Sequence, residues 1–134
     1  MKLKLSILSL SVIMIFAIGI FFQACNVSTA NLNDVKVCNQ KSDAGCSSDA
    51  SSFPITSEAI YCSANVKNAP SGTKVSFVWK HDGKELGQAD VETSGGTVLG
   101  HMTINGALEP GKYSVTVKLN SDNSTPTTKE FTLE

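Results

Sequence analysis

The sequence contains no arginine. Its 134 residues carry 11 lysines against 12 aspartates and glutamates, and only two histidines. The lysines stand singly, so no basic stripe tracks a nucleic-acid backbone and no polybasic patch holds an anionic membrane. Helical periodicity is missing from residue 26 onward, which argues against a bundle. No serine elbow, paired-carboxylate motif or phosphate-cradling loop is present. The glycines of "TSGGTVLG" lack the strand, loop and helix that give a phosphate loop its meaning. His81 and His101 have no third or fourth ligand at metal spacing, so neither a metal nor a cofactor is expected. These absences leave no catalytic residue to name and no small-molecule substrate to suggest.

What the chain does have is an apolar start. Met1, Lys2 and Lys4 precede residues 5–22, which are apolar but for three serines and one glycine. A cationic opening followed by an apolar core is the pattern of a secretory signal. The run is also near the length of a membrane-spanning helix, so a retained anchor is the rival reading. Directly behind it stand Ala24 and Cys25. That pair resembles the lipobox of bacterial lipoproteins, with Phe22 and Gln23 in place of the commoner leucine and small residue. The resemblance implies a signal peptide over residues 1–24, cleavage before Cys25 and fatty acyl chains on Cys25. The membrane then becomes a partner through the lipid. Two or three acyl chains hold a protein firmly, at about 0.8 kcal/mol per buried methylene. Loss of Lys2 and Lys4 leaves nine lysines against twelve acids, a net charge of −3.

Residues 25–52 are rich in Ser, Asn, Asp and Ala, too polar to offset the entropy of ordering. A lipidated tether is expected here, flexible over residues 26–34, with Val35 and Val37 spaced for one face of a short docking strand. Cys38 and Cys46 fall in the same stretch. In an exported chain, cysteines this close pair as a disulfide. Cys62 is then left over. In "AIYCSANV" it shares a period-two face with Ile60, Ala64 and Val66, where a thiol packs as a small hydrophobe.

From residue 53 onward, alternating segments recur with turn signals every eight to twelve residues. Val75, Phe77 and Trp79 alternate inward, and Asp82-Gly83 marks a tight hairpin. A weaker strand covers residues 84–91, followed by "TVLGHMTI" with His101 facing solvent, then "GKYSVTVKL" and "TTKEFTLE". The expected fold class is all-β, an antiparallel β-sandwich of about seven strands over residues 53–134. "LEPGKYSVTV", with Tyr113 opening a strand after a turn, resembles the tyrosine corner of immunoglobulin-like domains. Cys62 followed by Trp79 resembles the cysteine and tryptophan of the same fold. Val115 stands where the second cysteine would be, so the inter-sheet disulfide of that family cannot form.

The expected function is a non-catalytic interaction module anchored in a bacterial cell envelope, facing the periplasm or the cell surface, with a protein partner. Exposed turns are the candidate binding positions: His81, Asp82 and Gly83; Ser94, Gly95 and Gly96; Asp122 and Asn123. Two alternatives stand beside it: a small redox or enzymatic protein using Cys62, and a structural subunit of an envelope complex.

Overall fold

A computed structural model describes residues 29–104, 108–120 and 125–134. They form eight strands and no helix: β1 (Asn31–Cys38), β2 (Ser52–Phe53), β3 (Ala59–Lys67), β4 (Thr73–His81), β5 (Lys84–Thr93), β6 (Gly96–Thr103), β7 (Gly111–Leu119) and β8 (Thr127–Leu133). One sheet has the order β1-β3-β6, the other β2-β8-β7-β4-β5. Every ladder is antiparallel except the two-residue contact of β2 with β8. The all-β sandwich expected from the alternation is therefore present. Signal residues 1–24 and Cys25 lie outside the described residues.

Part of the segment expected as a tether is a strand. Asn31–Cys38 is a strand that pairs along β3 from Asn31 opposite Lys67 to Cys38 opposite Tyr61. Its register shifts between Asn33 and Lys36, where Asp34 adopts a left-handed φ of 51°. Ala30, Val35 and Val37 are buried. A few apolar side chains plus a full ladder of backbone hydrogen bonds hold a segment that polarity alone would leave loose. Among the described residues, the sandwich thus includes a strand that starts at Asn31, upstream of residue 53.

The expected disulfide closes between Cys38 and Cys46. Its loop folds back through reciprocal hydrogen bonds between the backbones of Ser42 and Gly45, and the Cys46 amide donates to Ser63 Oγ at 3.1 Å. This covers the outward face of β3, so Ser63 is buried although it alternates away from the core. Gly45 is the residue that permits the approach. Its φ is +93°, and a β-carbon there would stand 2.8 Å from Ser63 Cβ. Asp49 then ties the segment down, accepting from the Val37 amide at 2.8 Å and pairing with Lys129 Nζ at 2.7 Å.

The core follows the period-two faces. Ile60, Cys62, Ala64 and Val66 of β3, Val75, Phe77 and Trp79 of β4, Val115, Val117 and Leu119 of β7, and Phe131 and Leu133 of β8 are all buried. Tyr113 makes the corner: its hydroxyl donates to the Glu109 carbonyl at 2.6 Å, and its ring packs 5.8 Å from that of Phe131.

Candidate functional site

The pairing registers sort the candidate turns into two groups at opposite ends of the sandwich. Asp82 and Gly83 link β4 to β5, with His81 opposite both Lys84 and Tyr113. Thr73 opposes Thr93 at the other end of the same hairpin. Ser94 and Gly95 follow there, and Gly96 lies opposite Val66. The Asn120 amide donates to the Lys74 carbonyl at that end. Asp122 and Asn123 fall outside the described residues. The chain enters β1 at this same end, since Asn31 opposes Lys67. His81, Asp82 and Gly83 therefore do not join Ser94, Gly95 and Gly96 in one site.

His81 differs from its expected place at a solvated tip. Its ring stacks on Tyr113 at 4.2 Å and 3°. Its Nε2 lies 3.4 Å from Asp82 Oδ2, within ion-pair range, yet is buried without a hydrogen bond. The reason is parity: His81 has the same phase as Val75, Phe77 and Trp79, and the β4–β7 register sets it directly across from Tyr113. Extending that alternation by one step would have found it. Gly111 leaves room for the imidazole, because a β-carbon there would meet Nε2 at 2.9 Å. His101, by contrast, is exposed as expected, beside Tyr61.

The turn at the far end borders an open cleft of about 460 Å³, lined by Asp82, Gly83, Lys112, Tyr113, Glu130 and Thr132 among others. Two carboxylates, one ammonium and the hydroxyl-bearing residues Ser51, Tyr113, Ser114 and Thr132 make it polar and of mixed sign. Such a surface can take hydrogen bonds and ion pairs from another polypeptide. A second groove of about 320 Å³ lies between the disulfide loop and β6, lined by Lys41, Ser42, Asp43, Gly45, Thr97 and Leu99. The candidate residues predicted from sequence touch the first groove only through Asp82 and Gly83.

Cys62 is free and fully buried. Desolvation by burial, aided by the negative charge of Asp49, pushes its thiol up to about 12. Among the described residues no group of three or more His, Cys, Asp or Glu is placed to hold a metal ion. On β5, Gln88 and Ser76 hydrogen bonds hold Asp90 below the ordinary carboxylate range, an exposed ladder with no reactive partner.

No family model matches the chain, and no curated protein does. Among solved structures it is similar to an immunoglobulin-like protein from Pseudomonas aeruginosa, with a TM-score of 0.59 and 10% identity over 81% of this chain and 99% of that one. It is also similar to parts of two β-glucosidases. One, from Erythrobacter marinus, has a TM-score of 0.49 at 12% identity over 79% of this chain and 15% of that one. The other, a mutant from Listeria innocua in complex with laminaribiose, has a TM-score of 0.48 at 15% identity over 79% and 16%. These last two likenesses are too slight to carry an argument. The chain has an immunoglobulin-like β-sandwich fold.

Proposed function

We propose that the chain is a lipoprotein of a bacterial cell envelope, held in a membrane through Cys25, whose immunoglobulin-like domain is a non-catalytic interaction module for a protein partner. The observation that carries the choice of binding over chemistry is the state of Cys62. A redox or nucleophilic cysteine needs exposure and a lowered pKa. Cys62 is sealed in the core with its thiol raised to about 12, so the redox alternative has no support from its environment. The polar cleft beside Asp82 and Gly83 offers a partner groups for hydrogen bonding in a loop-bordered surface of the kind sandwiches use.

The test is site-specific photocrosslinking of the full chain in intact cells, from Lys112 in the cleft and from Lys118 on the same strand away from it. A discrete adduct from Lys112 and none from Lys118 supports the module. Rapid thiol labelling of native Cys62, together with thiol-dependent turnover or disulfide exchange, would replace it with the redox reading.

A further inference from the structure

The place where β1 starts constrains how the domain sits on a membrane. This inference rests on the anchoring through Cys25 proposed above. Only residues 26–30 separate Cys25 from β1, whose first residue is Asn31. At the ~3.3–3.6 Å per residue of a fully extended chain, Cys25 cannot lie more than about 22 Å from Asn31. The strands of nine residues run roughly 30 Å at ~3.3 Å per residue, so the leash is shorter than the domain is long.

Asn31 sits at the end of the sandwich that carries Lys67, Gly72, Ser94, Gly95 and Asn120. We infer that this end is apposed to the lipid headgroups, and that the opposite end, with the Asp82–Gly83 turn and the polar cleft, projects away from the bilayer as the partner-facing surface. The occupant of the near end is thus the membrane itself. The leash does the positioning, and the candidate turn at Ser94–Gly95 is thereby removed from the surface a soluble partner can reach.

The experiment uses the full chain in bacterial membranes, with single fluorophores on Ser71→Cys at the near end and Lys84→Cys at the far end. Both parent residues are exposed, Cys62 is buried and Cys38 and Cys46 are paired, and the Cys25 sulfur is capped by the lipid in the anchored protein, so only the introduced thiol reacts there. Membranes are then doped with a lipid whose headgroup bears a short-range quencher. Quenching several-fold stronger for the label at 71 than at 84 is expected, and Cys25→Ser should abolish it for both. Equal or reversed quenching in membrane-bound, fatty-acid-labelled protein overturns the orientation while leaving the anchor. Parent protein that takes up no fatty-acid probe and stays in the soluble fraction overturns the anchor, and the orientation with it.

Discussion

The ring of Phe77 lies directly over the α-carbon of Gly100. A β-carbon at position 100 would come within 2.5 Å of Phe77 Cγ. Phe77 is completely buried between the sheets. The contact joins β4 of one sheet to β6 of the other, so a missing side chain sets the spacing of the sandwich here.

Gly100→Ala is therefore expected to destabilise the domain by about 1–3 kcal/mol through overpacking. Combining it with Phe77→Leu should cost less than the sum of the two single changes, because both act on one contact. Urea denaturation of the three variants and the parent measures this. Strict additivity would mean that the two residues do not share the strain.

Trp79 lies two residues from the end of β4 with only 4% of its surface exposed. Trp79→Ala should cost about 3–5 kcal/mol by cavity formation. Its indole Nε1 is buried without a hydrogen bond, so Trp79→Phe removes an unpaired donor as well as volume and should cost much less. Tyr113→Phe breaks the bond to the Glu109 carbonyl and should lose about 0.5–1.5 kcal/mol. Chemical denaturation ranks the three, and a tryptophan more tolerant than the tyrosine would contradict this packing.

Opening the Cys38–Cys46 loop in a Cys38→Ser, Cys46→Ser variant is expected to cost about 2.5 kcal/mol on the loop-entropy model. Loss of the loop also bares Ser63, whose hydroxyl accepts from the Cys46 amide. Hydrogen exchange should therefore rise in the 39–46 loop while the ladder of β4 with β7 stays protected.

Stability should fall at both extremes of pH, for opposite reasons. Cys62 has a folded value raised to about 12 from 9.0. Its contribution is complete below 9 and is lost as pH rises from there toward 12. At Asp49, burial works to raise the carboxyl, but the Lys129 hydrogen bond and Val37 amide outweigh it and the net shift is downward. Its contribution is present above the ordinary value of 3.8 and is lost as pH falls through the lower folded value. Melting curves of the parent beside Cys62→Ala and Asp49→Asn check the pair. Each variant should flatten only its own limb of the pH profile.

Cys25→Ser should abolish incorporation of a fatty-acid probe and leave the chain unprocessed or released. Undiminished labelling of the variant would defeat the lipoprotein proposal.

Several features were legible from local pattern alone. Period-two alternation put Ile60, Cys62, Ala64 and Val66 on one face, and Val75, Phe77 and Trp79 on another, because a strand has no other way to sort its side chains. Asp82-Gly83 announced its turn, since both residues take positive φ and the pair tolerates it. Short spacing between Cys38 and Cys46 was enough to expect the disulfide that joins them. Registers between distant strands decided the rest. Val35 and Val37 pointed to a short docking strand, but nothing within residues 29–34 reveals that β3, some thirty residues later, extends the ladder back to Asn31. His81 reads as a tip residue until β7 brings Tyr113 across from it. The candidate turns look equivalent along the chain, and only the antiparallel ladders assign 82–83 to one end of the sandwich and 94–96 to the other. Local chemistry determines which face a residue shows; long-range pairing, with its cost paid in loop closure, determines what that face meets.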